Sequence, residues 1–364
     1  MSASLLKIIR IIPLLFLIIF SVTAQADVTL DKASQLKLFG DVRYRYEQDE
    51  RSDTAEAERT RSQIRARIGA SFQPAPAWAG SLRLSTDATS ANSSDTTQST
   101  TNNDKNGEFG LDQAYVTYTP SPIFNLVLGK TDFVFFQQNE VFWDKDISPE
   151  SATMITRMGG LSLSATQMTL IEGEWQKDVT AEAYQLVYRS GGITFAYGKA
   201  MLNRDEQFGR DTTGDGNKDV FGFQSDEYTI FSAEEKRGNW IFGIEYITSN
   251  SGSADTARIF SFEQKLGPDY GFRIYKYMVE GFSVMGDGKF SQNDFPTEGN
   301  SGVSNFKGYK LQFDFYTSKT SSVDMSFYEM DRIHDPASLG PTASDAIMTR
   351  HKQKRMQLNF NLRF

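Results

Sequence analysis

The sequence predicts an all-β fold, a transmembrane antiparallel β-barrel of about sixteen strands with short periplasmic turns and long extracellular loops. The first observation is the stretch 59–72, where Ile64, Ile68 and Phe72 alternate with arginines. Successive side chains of a strand point to opposite faces, so one face is apolar and the other cationic. The second observation is the stretch 355–364, which repeats this alternation and ends on Phe364. A closed barrel gives the polar face water and the apolar face lipid.

Residues 1–26 have the features of a secretory signal peptide. Lys7 and Arg10 precede an apolar run at 11–20, and Ala-Gln-Ala at 24–26 is a small-residue cleavage site. A permanent single-span anchor is the alternative, but the apolar run is short and no other span follows it. We therefore expect export to the outer membrane of a Gram-negative cell, with residues 27–364 forming one barrel domain.

The composition excludes several kinds of site. Without Lys7 and Arg10, 36 basic residues stand against 46 acidic residues, a net charge of −10, but the arginines lie on strands and many carboxylates lie in loops. There are no cysteines, so disulfides and thiolate metal sites are excluded. We expect no cofactor and no nucleic-acid partner. An extracellular all-β lectin could share this composition.

The strand count follows from alternating connections. The early strands are predicted at 37–47, 59–72, 78–87, 111–119 and 123–131, with a long polar loop at 88–107 and an irregular segment at 132–149. A separate strand at 151–158, closed by Gly159 and Gly160, makes short turns and long loops alternate along the rest of the chain. The remaining long loops are then expected at about 172–178, 203–225, 250–256, 281–304 and 333–350.

Several segments resemble the putative porin family of Gram-negative outer membranes. They are LFGDVRYRYE at 38–47, RARIG at 65–69, LDQAYV at 111–116, LGK at 128–130 and FWDKDISPE at 142–150. The terminal Phe364 is similar to the signal that such barrels present to the barrel-assembly machinery. The resemblance implies a pore in contact with outer-membrane lipids and lipopolysaccharide, and it does not name a solute.

Nine arginines are candidate pore-lining residues, and we call them the arginine wall. They are Arg43, Arg45, Arg59, Arg61, Arg65, Arg67, Arg83, Arg355 and Arg363. Barrel closure places the last strand beside the first, so these cations can share one water-filled face and favour anionic solutes. Alternatively, carboxylates such as Asp41, Glu47 and Asp314 pair with them and stiffen the wall, and both can hold together.

The irregular segment at 132–150 is the candidate constriction loop. Its acids are Glu140, Asp144, Asp146 and Glu150. Acids facing an arginine wall across the channel would create a transverse field that sorts solutes by charge. The alternative is an external loop that packs on the barrel rim through its phenylalanines and Trp143.

The segment at 211–219 resembles a calcium loop. Its candidate ligands are Asp211, Asp215, Asn217 and Asp219. Val220 and Asp226 stand where this loop type has glycine and glutamate, which favours an ordinary solvated loop. For catalysis, the two histidines of the chain, His334 and His351, have no serine-histidine-aspartate spacing around them, so no catalytic residue is predicted.

These observations predict a water-filled channel for passive diffusion of small hydrophilic solutes, with a preference for anions set by the arginine wall. One alternative is a substrate-selective channel for acidic saccharides or organic acids, which would show saturable binding. Another is a barrel whose loops serve adhesion or act as a receptor, with little conduction. The sequence does not settle the assembly, and a homotrimer is compatible with it.

Overall fold

The structure is a computed structural model that describes residues 28–31, 35–52, 58–86, 96–98, 109–171, 179–203, 227–284, 304–339, 348 and 350–364. Two predicted features lie outside these residues, the signal peptide at 1–26 and the calcium-like loop at 211–219. Both remain predictions. No helix in the described part of the chain is long and apolar enough to span a membrane.

Sixteen long strands and two short ones form one sheet in the described residues. The first half comprises β1 Val28–Asp31, β2 Leu36–Arg51, β3 Glu58–Ala75, β4 Trp78–Thr86, β5 Thr96–Gln98, β6 Phe109–Ser121, β7 Phe124–Lys130, β8 Glu150–Met158 and β9 Leu161–Ile171. The second half comprises β10 Val179–Ser190, β11 Ile193–Asn203, β12 Glu227–Arg237, β13 Trp240–Ser249, β14 Thr256–Lys265, β15 Tyr270–Val279, β16 Phe306–Tyr316, β17 Ser321–Arg332 and β18 Lys352–Arg363. A 3₁₀ helix, Pro336–Leu339, precedes β18.

The long strands close into an antiparallel barrel because β18 pairs with β2. Two backbone hydrogen bonds complete the closure, from Gly40 N to Phe364 O and from Phe364 N to Gly40 O, each 3.0 Å long. The ring of Phe364 lies where a side chain at Gly40 would otherwise stand. Closure removes the open edges that a sheet of this size would otherwise expose.

The predicted alternation of connections is confirmed. Short turns lie at 76–77, 122–123, 159–160, 191–192, 238–239, 266–269 and 317–320. Long connections lie at 52–57, 87–108, 131–149, 172–178, 204–226, 250–255, 280–305 and 333–351. The separate strand after the irregular segment is β8. The first long strand, β2, begins on the short-turn side of the barrel, and the last strand, β18, ends there. The predicted polar loop at 88–107 differs in one respect, because the short strand β5 within it pairs with β3.

The two faces of the strands differ as the alternation predicts. Outward-facing apolar side chains such as Tyr44, Ile68 and Leu82 remain more than 40% exposed. Phe39 breaks the alternation because it points inward from β2. Its ring lies 2.5 Å from where a Cβ on Gly69 would be, so the missing side chain of Gly69 makes room for it.

The inner face is not polar all the way around. From β10 to β17 it carries buried apolar side chains, including Ile230, Ile247 and Ile259, which join one hydrophobic cluster with Val141 and Trp143 of the connection at 131–149. This cluster fills part of the interior, so the barrel has a packed core on one side and a polar wall on the other.

Candidate functional site

The connection at 131–149, which we call the inner loop, crosses the barrel interior. Val141 and Trp143 are completely buried, and they pack against inward-facing side chains of the strands. Polar residues of the same loop contact β3 on one side and β13 on the opposite side. The structure therefore places this segment inside the barrel, and the alternative of a loop packed on the outer rim is wrong.

Asp146 attaches the inner loop to the arginine wall. Its Oδ1 accepts hydrogen bonds from Arg65 Nη1 at 3.0 Å and from Arg67 Nη1 at 3.3 Å. Arg43 Nη2 lies 3.7 Å from its Oδ2. Asp41 lies behind these groups and accepts from Arg67 Nε at 2.7 Å and from Arg65 Nη2 at 3.0 Å. Two carboxylates and three guanidinium groups thus form one network between β2, β3 and the loop.

Glu245 of β13 attaches the inner loop to the opposite wall. Its Oε1 accepts from Asn139 Nδ2 at 2.8 Å, and its Oε2 accepts from Ser232 Oγ at 3.0 Å and from the backbone N of Gln138 at 3.3 Å. Gln185 of β10 adds a second attachment by bonding both backbone groups of residue 136. Because the loop is held at both ends, its position across the interior is fixed.

The four predicted acids of the loop have different surroundings. Asp144 is buried and accepts a hydrogen bond from the backbone N of Asp146 at 2.8 Å, so it shapes the turn. Glu140 pairs with Lys145 at 3.3 Å. Glu150 begins β8 and is exposed, paired in register with Lys130. Among these described residues, Glu140 is the one acid that faces the cavity defined below.

The inner loop also contains a solvent-accessible carboxyl group near the wall, that of Asp132. Asp132 Oδ1 accepts from Gln113 Nε2 at 2.5 Å, and Ser148 Oγ lies 3.5 Å away. Desolvation by the surrounding protein raises the pKa of Asp132 above its usual value, although the residue as a whole is exposed, and this effect outweighs the opposing attraction of the Arg83 guanidinium.

The arginine wall is extensively ion-paired. Arg61 Nε lies 2.6 Å from Glu47, and Arg355 Nε lies 2.6 Å from Asp49. Arg59 Nη2 lies 2.5 Å from the same Asp49. Arg83 pairs with Asp112, and Arg45 Nε donates to Asn359 Oδ1 at 2.7 Å. Asp314 lies 3.2 Å from Arg273 of β15, away from the arginines of β2 and β3, and Arg363 is exposed at the end of β18. Most arginines of the wall are therefore paired with carboxylates in the structure, which was the alternative to a wall of open cations.

A polar cavity of about 200 Å³ lies between the inner loop and strands β15 to β18 and β2. Its lining includes five basic side chains, Arg43, Arg45, Lys145, Arg273 and Lys310, and two carboxylates, Glu140 and Asp324. Three of these cations were not predicted from the sequence. Arg273 of β15 and Lys310 of β16 stand at inward positions of regularly alternating strands, and this alternation could have identified them. Lys145 lies in the inner loop, where no periodic pattern marks it.

The two histidines lie in the final long connection. His351 Nδ1 is 3.2 Å from Arg332 Nη2, and the backbone N of His334 donates to Asn305 Oδ1 at 2.9 Å. Both therefore take part in packing the connection that leads into β18. Within the described residues, no group of three or more His, Cys, Asp or Glu could hold a metal ion.

Residues 51–171, which include β3 and the inner loop, match the family model described as putative porin. The resemblance to that family is confirmed over this segment. Solved bacterial porins share the fold of the whole barrel. Salmonella typhi OmpF, solved in complex with daunomycin, is 12% identical over 93% of this chain and 100% of that chain, with a TM-score of 0.59.

Two further solved structures give the same result. A mutant of the Rh. blastica porin is 10% identical over 90% of this chain and 100% of its own, with a TM-score of 0.53. The loop L8 deletion mutant of OmpT, an outer membrane protein of Vibrio cholerae, is 10% identical over 92% of this chain and 100% of its own, with a TM-score of 0.54. No curated protein sequence matches this chain. At these identities the comparisons show that the chain has the porin fold.

Proposed function

We propose that this protein is an outer-membrane porin that lets small hydrophilic solutes diffuse passively, with a preference for anions. The porin fold and the segment that matches the putative porin family support the channel. The apolar outer face supports contact with lipids and lipopolysaccharide, and the strand that ends at Phe364 suits recognition by the barrel-assembly machinery. The signal peptide at 1–26 would direct export.

The anion preference is supported by the lining of the cavity, where five basic side chains face two carboxylates. An excess of positive charge beside a narrow aqueous path raises the local concentration of anions and lowers their barrier to entry. The arginine wall contributes Arg43 and Arg45 to this lining. Six other wall arginines are ion-paired outside this lining and would mainly hold the inner loop and the strands: Arg59, Arg61, Arg65, Arg67, Arg83 and Arg355. Arg363 is exposed at the end of β18.

Single-channel recording of the purified, refolded protein in a planar bilayer under a KCl gradient tests this proposal. We expect steady conductance and an anion-selective reversal potential. Absent conductance would favour the alternative of a barrel whose external loops serve adhesion or act as a receptor. Cation selectivity would contradict the role given to the basic lining.

A further inference from the structure

Three basic side chains lie on the outer face of neighbouring strands: Arg258 of β14, Lys276 of β15 and Lys307 of β16. All three are exposed, whereas the residues that follow the first two in sequence, Ile259 and Tyr277, are almost completely covered inside the barrel. Successive side chains of a strand point to opposite faces, so the three cations point toward the membrane. We call these three residues the outer basic triad.

The register of the sheet brings the outer basic triad together. Arg258 is directly opposite Met278, and Met278 is directly opposite Lys307, so two of the cations stand in one row with one strand between them. Lys276 is two residues from Met278 on that intervening strand. Such diagonal neighbours are about 7–8 Å apart, which is within reach of long side chains. The three cationic groups can therefore meet around one anionic group.

The outer basic triad lies at the end of the barrel that carries the long connections. Arg258 is the third residue of β14, Lys307 is the second residue of β16, and Lys276 is the fourth residue from the end of β15. Toward the short turns, the next outward side chains on the first and third of these strands in register are Phe260 of β14 and Ile274 of β15. At ~3.3 Å per residue, this apolar band begins about 7 Å below the cations. The triad therefore stands where acyl chains give way to head groups.

The cations of the triad have no protein partner, since none of the three side chains makes a hydrogen bond, an ion pair or a ring contact with the described part of the chain. Two carboxylates border them. Glu280 accepts hydrogen bonds from the backbone N of Thr256 at 3.1 Å and from its Oγ1 at 2.8 Å. Asp331 is opposite Lys307 in the register, but its Oδ1 lies 3.9 Å from Lys352. Both carboxylates are thus engaged elsewhere, and the triad is available to an anionic ligand.

We propose that the outer basic triad binds the phosphate groups of a phosphorylated glycolipid in the outer leaflet of the membrane. This inference rests on the outer-membrane location that the proposed function requires. The phosphates would accept charge-assisted hydrogen bonds from the guanidinium and the two ammonium groups. The acyl chains would lie along the apolar band. The ring of Tyr309, which is 41% exposed and directly opposite Lys276, would pack on the sugar.

A second copy of this chain fits the triad less well than a lipid does. Three cations covered by another protein lose hydration, and only closely placed carboxylates offset that loss. In the same row of the sheet, the exposed carboxylates are Glu50 and Glu58, and Lys354 stands opposite the first of them. A lipid head group instead leaves the cations in contact with water and supplies phosphate directly, so the lipid is the favoured occupant.

The test counts the lipid molecules that the refolded protein retains in detergent micelles, measured by native mass spectrometry. The probe is diphosphoryl lipid A, and the comparison lipids are a neutral glycolipid, monogalactosyl diacylglycerol, and a phospholipid without a sugar, phosphatidylglycerol. We expect saturable retention of lipid A, about 100-fold weaker retention of the neutral glycolipid and about tenfold weaker retention of phosphatidylglycerol, which has one phosphate. Equal retention of lipid A and of either comparison lipid would overturn the inference.

Two triple variants locate the site. The triad variant carries Arg258→Gln, Lys276→Gln and Lys307→Gln. The control variant removes the same charge from exposed residues beside the short turns and carries Lys236→Gln, Lys265→Gln and Lys319→Gln. The triad variant should retain lipid A about 100-fold more weakly, at about fivefold per cation, because each Lys or Arg near the head groups contributes separately. The control variant should retain it as the unmodified protein does.

Equal weakening in both triple variants, or in neither, would overturn the inference. A triad variant with unchanged lipid A retention but a smaller assembly, by size-exclusion chromatography with light scattering, would place a second copy on the triad instead. If the triad variant does not fold, Lys276→Gln should still weaken retention about fivefold and Lys319→Gln should not. A conducting channel that retains no lipid A would overturn this inference alone. A protein that retains lipid A but forms no channel would overturn the porin proposal alone.

Discussion

Replacing Asp146 by asparagine removes one negative charge from the network between the inner loop and the wall. In the structure its carboxylate lies 3.0 Å from Arg65, 3.3 Å from Arg67 and 3.7 Å from Arg43. An asparagine has nearly the same shape and keeps one oxygen acceptor, so the loop should stay inside the barrel. The three guanidinium groups would then have Asp41 as the remaining carboxylate of this network.

The size of the effect can be worked from the charge that is lost. A unit charge 4 Å away contributes about 1 kcal/mol in water, and the effect falls with distance and with screening over about 10 Å at 0.1 M salt. A contribution of roughly 0.2 kcal/mol in the channel acts with opposite sign on chloride and potassium, so it corresponds to about a twofold increase in chloride over potassium permeability. At 1 M salt, where the screening length is about 3 Å, the increase should nearly vanish.

The loss of charge-assisted bonds should also loosen the inner loop. Such a bond contributes roughly 1.5–3 kcal/mol when it is well shielded. The Asp146 side chain is 23% exposed, so about 1–2 kcal/mol is a reasonable cost after allowance for solvent. We therefore expect more current noise in the variant channel, with a modest change in mean conductance.

The assay is the reversal potential of single channels under a KCl gradient, measured at low and at high salt. Asp335→Asn is the control, because it removes the same charge from a side chain that is 69% exposed in an external connection. The control should leave selectivity unchanged. If Asp146→Asn gives an unchanged or more cation-selective potential at low salt, the network does not influence the ions that pass, and the reasoning is wrong.

Three further predictions concern the wall, a carboxyl of the inner loop and a glycine. Replacing Arg61, Arg65 and Arg67 together with serine should shift selectivity toward cations, because their partner carboxylates lose their counter-charges; an unchanged anion preference in bilayer recordings would refute this. Asp132→Asn should raise the melting temperature in detergent only slightly at neutral pH, since desolvation raises the pKa of that carboxyl but solvent reaches the side chain, and the small gain should shrink as the pH falls below that pKa. Gly69→Val should lower the yield of heat-modifiable barrel, because the new side chain would overlap a phenylalanine ring; a normal yield would contradict the packing seen there.

The sequence predicts the barrel well because strand alternation is local. The face of each residue in 59–72 follows from its neighbours alone, and the strand count follows from which connections are short. The position of the inner loop could not be predicted in the same way. Its attachments to Gln185 and Glu245 join residues about 50 and more than 100 positions apart, and no period in the loop records them.

Tyr275, Lys310 and Tyr328 lie side by side on three neighbouring strands of the inner face. Their contact could not be predicted from the sequence either. The sequence places Tyr275, Lys310 and Tyr328 on inward faces, but whether they meet depends on the register of three strands. A shift of two residues in either pairing would keep every face correct and still separate the lysine from one ring. The connection at 280–305 is long enough to allow several registers between β15 and β16, so the sequence alone does not fix that register.

The charge of the wall shows why counting arginines is a poor guide to selectivity. Arg45, Arg65 and Arg355 are each less than 10% exposed, and a guanidinium buried to that extent needs a close partner to offset its lost hydration. The neighbouring strands and the inner loop supply those partners, which cancels much of the field of the wall. The lining of the cavity keeps a basic excess, with five basic side chains and two carboxylates. Ion selectivity should therefore respond more strongly, per charge removed, to a change at Lys145, whose side chain is 57% exposed, than to a change at Arg355, whose side chain is 2% exposed.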